Sequence, residues 1–251
     1  MYYYIYDSFV QNKDYARDLA AIETRLADFG ISGNIGRLSL FRDASDLIED
    51  EVRRGAKTIV AVGNDHTIRK ILDSVVVARA VLAFIPLGTP NVIAKIFGIP
   101  NGVDACDVLA KRTIMTVDMG KVNGRYFLSR LRIPENNVKL VCEGSYMVSS
   151  ELRSAIQIKN AGWVEESGVS EISDAQDGML DAVIDAKERA HLFQKPVLKR
   201  TQIPIKKVLI ENSGTAPMPA FIDEEEFAQP RFEVCVVKKR LRVVTGRDRL
   251  V

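Results

Sequence analysis

TIVAVGNDHTIRKILD, Thr58–Asp73, is the stretch whose reading decides the fold. The apolar run Ile59–Val62 stops at Gly63. A polar turn follows, Asn64-Asp65-His66, and Thr67 opens an amphipathic segment, Ile68–Val77. Strand, turn and helix in that order place a small polar loop at the carboxyl end of a strand and the start of a helix. Backbone N–H groups and the helix dipole there favour an anion such as phosphate. The turn carries a carboxylate, Asp65, and lacks the lysine of the G-x-x-x-x-G-K-[ST] loop, so a phosphate site here is of another kind. Read locally, Thr67 caps the helix and Asp65 simply favours its dipole.

A second stretch has the same order. IPLGTPNVIAKIFGIP, Ile85–Pro100, ends an apolar strand at Ile85 and turns through Pro86–Asn91 into a helix. Two adjacent strand ends of a parallel sheet make the crevice where such folds bind ligands.

Outward from these stretches, residues 1–112 alternate β and α patterns. Strands are expected at Tyr2–Tyr6, Gly36–Phe41, Lys57–Val62 and Val81–Ile85, and helices at Asp14–Phe29, Ala44–Arg54 and from Thr67. Repeated βα units indicate a parallel sheet covered by helices. From Thr113 the pattern changes to short β runs: Thr113–Met119, Arg125–Leu131, Val138–Val141, Ala155–Lys159, Met179–Ile184 and Ile203–Ile210. One helical segment, Asp185–Phe193, interrupts them. The expected fold is α/β: a parallel-sheet domain over residues 1–112 and a mostly antiparallel, sandwich-like β domain over 113–251. The final strands, Arg231–Val237 and Arg240–Val244, would pair within either domain.

Composition excludes several classes. The chain has 251 residues, 47% apolar and 27% charged, enough for a sizeable core. A net charge of +2 argues against a dedicated nucleic-acid binder. Three cysteines, Cys106, Cys142 and Cys235, form no CxxC pair and read as small buried residues in a reducing cytoplasm. His66 and His191 are the only histidines, which excludes a histidine-rich metal site. MYYYIYDSF is not a signal peptide, and no apolar run approaches the ~18 residues that read as a membrane span. Tyr2–Tyr4 and Trp163 read as core.

On these motifs the chain resembles the catalytic domain shared by diacylglycerol kinases, sphingosine kinases and bacterial lipid kinases, and more distantly NAD kinases. The family's G-G-D-G-T falls on Gly63-Asn64-Asp65-His66-Thr67. Its P-L-G-T-x-N-D falls on Pro86-Leu87-Gly88-Thr89-Pro90-Asn91-Val92. Val117–Phe127 matches its strand–turn–strand, Ser173–Asp181 its P-x-A-x-x-D-G-x-L-D element, and Asp223-Glu224-Glu225 its D-G-E.

The resemblance implies an ATP- and Mg²⁺-dependent kinase acting on a lipid or lipid-like hydroxyl. Backbone N–H groups from Gly63 through Asn64, Asp65, His66 and Thr67 would hold phosphate. Asp65 would organise the Mg²⁺–phosphate cluster, and Thr67 and Thr89 would offer hydroxyls. Asp7 and Ser39, at the ends of the first two strands, are weaker nucleotide candidates. Asp177, joined by the carbonyls of Asp174 and Met179, would hold a structural Mg²⁺. Glu225 would be the general base. Peripheral contact with the inner membrane face and a homodimer are both left open.

The departures are specific. Asn64 and His66 replace family glycines, and Val92 replaces an acid. Arg69-Lys70 replaces Asn-Glu. Asp7-Ser8-Phe9-Val10 replaces the N-P-x-S-G loop, Ser167-Gly168-Val169 replaces a G-G-G turn, and Glu224 replaces the glycine of D-G-E. They support an alternative: a non-catalytic relative that binds nucleotide or lipid in a regulatory role.

Overall fold

The computed structural model describes residues 1–39, 43–149, 153–164, 170–187, 198–212 and 216–251. It divides into two compact units. One comprises Met1–Val117, Trp163–Ile172 and Lys239–Val251; the other comprises Asp118–Gly162 and Ser173–Lys238. The first boundary thus falls at Val117–Asp118, against Arg112–Thr113 read from the sequence, and the last thirteen residues join the first unit.

The first unit is built on parallel strands β1 (Tyr2–Tyr6), β2 (Asn34–Arg37), β3 (Thr58–Gly63) and β4 (Val81–Pro86). Their order is β2-β1-β3-β4, and Arg242 and Val243 of the last strand pair parallel to β4. Every residue of β3 and β4 is buried. Cover on both faces explains why they read as unbroken apolar runs rather than alternating ones. The helices are α1 (Ala16–Asp28), α2 (Ala44–Arg53), α3 (Asp65–Ala78), α4 (Val92–Ile96) and α5 (Ala105–Lys111). α3 buries Ile68, Ile71, Leu72, Val75 and Val76, the stripe its 3.6-residue period dictates. Tyr3 and Tyr4 are core, as are Cys106 and Cys142, whereas Cys235 is half-buried. Among the described residues no helix is long and apolar enough to cross a membrane.

The second unit is antiparallel. One sheet runs Leu198–Ile205, Leu180–Lys187, Ser154–Lys159, Arg130–Asn136, Met218–Ile222, Glu225–Gln229. A second joins the start of Arg231–Val244 to Lys207–Asn212, Val138–Cys142 and Tyr146–Ser149. Both contribute to one core that includes Ile133, Leu140, Ile156, Ile158, Ala182, Ile210, Ile222 and Phe232. Alternation along Val138–Cys142, with Val138, Leu140 and Cys142 buried and Lys139 exposed, is the pattern of a half-solvated strand.

Several expected elements change. The second strand is Asn34–Arg37, not Gly36–Phe41; Phe41 lies outside the described residues. The helix expected at Asp185–Phe193 is overturned at its start. Asp185, Ala186 and Lys187 continue a strand, paired to Arg200, Lys199 and Leu198, and Asp185 accepts from Arg200 at 2.7 and 2.9 Å. Cross-strand pairing overrides helical propensity here. Residues 188–193, His191 included, lie outside the described residues, as do Ser167-Gly168-Val169 and the Trp163 side chain. Ile203–Ile210 splits at Lys206 into strands of two different sheets, while Arg231–Val244 is a single strand.

Asp223 anchors the second unit. Its buried carboxylate accepts from Leu128 N, Ser129 N and Arg130 N at 2.9–3.0 Å. Removing it leaves three backbone donors without that acceptor. Asp223→Ala is expected to lower stability by about 3 kcal/mol in urea denaturation, since charge-assisted bonds and the orphaned donors left behind each cost roughly 1–3 kcal/mol. A loss under about 1 kcal/mol would show that the turn does not depend on this carboxylate.

Candidate functional site

The site expected from the sequence lies in the first unit, where β3 and β4 end. Gly63 is required by a close approach, because a Cβ there would sit 2.2 Å from Thr67 Oγ1. Asn64, not Thr67, is the N-cap of α3. Its Oδ1 accepts from His66 N at 3.1 Å and Thr67 N at 3.3 Å. Thr67 sits three residues on, with Oγ1 accepting from Asn64 N at 3.1 Å, which closes a reciprocal capping box. Asn64 Nδ2 donates to the Thr89 carbonyl at 2.8 Å, and Asp65 N donates to the Pro90 carbonyl at 2.9 Å.

Asp65 ties the two turns together. Its buried carboxylate accepts from Val92 N at 2.7 Å and Ile93 N at 3.1 Å, at the start of α4. The second turn thereby receives its negative charge from Asp65, and Val92 stands where the family carries its own acid. Leu87 N donates to the Gly63 carbonyl at 2.8 Å, adding a backbone link between the two strand ends.

Asp7, at the end of β1, is 1% exposed. Lys70 Nζ donates to both of its oxygens, at 3.0 and 2.8 Å, and Thr67 Oγ1 donates to Oδ2 at 2.8 Å. Burial alone would raise this carboxyl. The Lys70 and Thr67 hydrogen bonds and the Lys70 charge outweigh it and hold Asp7 below the usual carboxylate range. Arg69, which stands in place of a neutral family Asn, is buried and pairs with Asp73 on its own helix. Sequence reasoning missed the Asp7–Lys70 pair; its only trace was two departures of opposite charge far apart in the chain, Asp7 in the first-strand loop and Lys70 in place of a family Glu.

Asp7, Gly63, Asn64, Asp65 and Thr67 form one network, and Thr89 joins it through its carbonyl. His66 contributes its backbone N–H, with its side chain exposed. Ser39 is exposed beyond β2 and takes no part in these bonds among the described residues. Four N–H groups of the turn, from Asn64 to Thr67, already have acceptors within the chain. The donor set suits phosphate in kind, but it opens to an anion only when the Asn64 amide leaves Oδ1's two partners.

In the second unit, Asp177 Oδ1 accepts from Met179 N and Asp174 Oδ1 from Gln176 N, both at 2.8 Å. Asp118 accepts from Gly178 N at 2.7 Å. Lys238 lies along Gly178, where a Cβ would meet its Nζ at 2.4 Å. This is the turn at which the resemblance places a structural Mg²⁺. Among the described residues no group of three or more His, Cys, Asp or Glu could hold a metal. Glu225, half-exposed, pairs with Arg125 at 2.7 Å. Glu224, in the glycine place of D-G-E, adopts φ +69° and pairs with Arg130 and Arg132.

Comparison with known proteins agrees with this layout. Residues 2–122 match the family model of the diacylglycerol kinase catalytic domain. A Pseudomonas aeruginosa protein named probable lipid kinase YegS-like is 38% identical over 89 residues, covering 35% of this chain and 30% of that protein. A Bacillus subtilis diacylglycerol kinase is 26% identical over 129 residues, covering 50% of this chain and 43% of its own. The matched stretches thus span less than half of each relative's length. A crystal structure of a Bacillus anthracis diacylglycerol kinase superposes with TM-score 0.79 at 18% identity, covering 100% of this chain and 98% of that one. It shows the same two-part α/β fold.

The Asp7–Lys70 pair makes a signed prediction. The depressed Asp7 contributes stability that is full above about pH 4 and lost as pH falls through its lower folded value. In Lys70→Met, burial is no longer offset and the Asp7 carboxyl rises. That variant should lose about 2 kcal/mol at neutral pH, less than a fully buried pair because Lys70 is half-exposed, and should recover stability on acidification. Urea melts from pH 7 down to about 3 check this, and Asp7→Asn with Lys70→Met should restore most of the neutral-pH loss. Parallel pH profiles for wild type and Lys70→Met would contradict it.

Proposed function

We propose that this chain, a divergent relative of the diacylglycerol kinase catalytic domain family, is a phosphotransferase of the lipid kinase class. It takes phosphate from ATP, with Mg²⁺, and places it on a hydroxyl of a lipid or lipid-like acceptor. The observation that carries this reading is the locking of two turns at neighbouring strand ends through Asp65 and Asn64. They lie where parallel α/β sheets take their ligands and where the family's phosphate motifs fall.

Bound Mg²⁺–ATP would supply the transferable phosphoryl group and neutralise its charge, with the ion held chiefly by phosphate and water oxygens. Asp65 keeps the two turns in register. The N–H groups of His66 and Thr67 hold phosphate once the Asn64 side chain swings away, and the half-exposed Lys70 ammonium adds a cation beside them. Thr89 offers its exposed hydroxyl. Glu225 takes the proton of the acceptor hydroxyl at its carboxylate. The protein works from the cytoplasm, at the membrane surface where its acceptor resides.

A second reading is favoured by one observation: the turn satisfies its own donors and Asp7 has its own cation. On that reading the chain is a non-catalytic relative that binds nucleotide weakly, or lipid alone, in a regulatory role.

Thermal melting with Mg²⁺–ATP and a phosphoryl-transfer assay separate the two. Nucleotide at a hundred times its Kd should stabilise the protein by about 2.7 kcal/mol. Asn64→Gly frees two N–H groups and should enlarge the shift. Glu225→Ala should bind normally and lose about 10²–10⁴-fold in transfer. No shift at millimolar nucleotide in either wild type or Asn64→Gly would leave only the non-catalytic reading.

A further inference from the structure

At the C-terminal end of α4 the first unit contains a cavity of about 690 Å³, within the size range of small-molecule sites. Ile99 and Val108 give it apolar wall. Lys95, Lys111, Arg247 and Arg249 place four cations around it against one carboxylate, Asp248. Among the described residues none of the four has an ion-pair partner.

The wall is built rather than incidental. Gly246 N donates to the Phe97 carbonyl at 2.8 Å, Leu250 N to the Ile96 carbonyl at 2.7 Å, and Thr245 N to the Thr113 carbonyl at 2.9 Å. A Cβ on Gly246 would lie 1.8 Å from the Gly98 carbonyl oxygen, so the tail is seated against the turn after α4. Thr245 is 2% exposed, and its hydroxyl has no partner among the described residues. A buried hydroxyl left unpaired costs roughly 1–3 kcal/mol, and such groups mark places where a water or ligand supplies the partner.

We infer that this cavity binds a phosphate monoester, with the phosphate among the cations and its carbon skeleton against Ile99 and Val108. Two arginine forks and two ammonium groups exceed what a single carboxylate would need, and the fork geometry suits phosphate oxygens. The phosphate can be carried by a lipid headgroup or by a small soluble ester. The cavity makes no use of the Asp65 network, so the inference stands whether or not that network binds nucleotide.

The full chain is tested in two arms. Flotation uses phosphatidylcholine vesicles with and without phosphatidic acid; calorimetry uses glycerol 3-phosphate. Binding in the first arm identifies a membrane-borne ester, and binding in the second a soluble one. In whichever arm binds, Arg247→Ala with Arg249→Ala should weaken affinity about thirtyfold, and salt should weaken the wild type. Lys95→Ala with Lys111→Ala, the other two cations lining the same cavity, should act alike. All four side chains are exposed, so the variants should melt as the wild type does. Binding by neither probe, or binding that both double variants leave unchanged, overturns the inference.

Discussion

The start of α3 leaves backbone donors that must find acceptors, because a helix N-terminus cannot satisfy them within itself. In this chain Asn64 Oδ1, Thr67 Oγ1 and the Pro90 carbonyl supply them. The rest of the first unit's strand-end edge follows. Asn64 reaches the second turn because its cap position puts Nδ2 beside Thr89. Asp65, one residue on, is then placed to accept from Val92 and Ile93 at the start of α4. Thr67, drawn in to complete the box, turns its hydroxyl proton to Asp7. Asp7, buried at the end of β1, is paired there with Lys70. One cap thus sets the register of two turns, a short helix and a buried ion pair.

The second unit solves a similar problem at Asp223. The chain reverses between Met218–Ile222 and Glu225–Gln229 through two residues of positive φ, Asp223 at +45° and Glu224 at +69°. Neither is glycine, so each carries a backbone cost. Asp223 offsets it with three backbone acceptances, and Glu224 with ion pairs to Arg130 and Arg132. The family pattern places a glycine at the second position. Here the turn survives without one because its neighbours over-determine it, and Glu225 is therefore held at the start of its strand.

What was legible in the sequence divides along physical lines. β3 and β4 could be read because burial on both faces forces unbroken apolar runs, and α3 because its stripe has helical period. The turns could be placed because Gly63 and the Pro86–Asn91 segment interrupt those patterns. Asp185–Lys187 could not, because a short charged segment is decided by its partner strand. The cap was misassigned to Thr67, since Asn64 and Thr67 are both good capping residues and only tertiary contacts with Thr89 choose between them. The Asp7–Lys70 pair joins positions sixty-three residues apart, and no local pattern records a contact of that range. The turn at Asp174–Met179 matched a metal element in sequence; that Lys238, far along the chain, lies beside its Gly178 is a contact no local pattern records.

How far the closed turn argues against catalysis is a question of magnitude. Freeing the N–H groups of His66 and Thr67 breaks two neutral hydrogen bonds, each with a net value of about 1 kcal/mol. The sum, about 2 kcal/mol, corresponds to roughly a thirtyfold weaker phosphate interaction. Hydrogen bonds from the same N–H groups to a charged phosphate are worth about 1.5–3 kcal/mol each, so the exchange runs in the ligand's favour. The Asp7–Lys70 pair is the stiffer element. Removing one partner alone strands a buried charge, whereas exchanging both keeps the balance. The two departures from the family pattern therefore form a matched unit. On the nucleotide-binding reading, Asn64 would weaken that binding without forbidding it, and the compensated charge pair would preserve the strand end on which it depends.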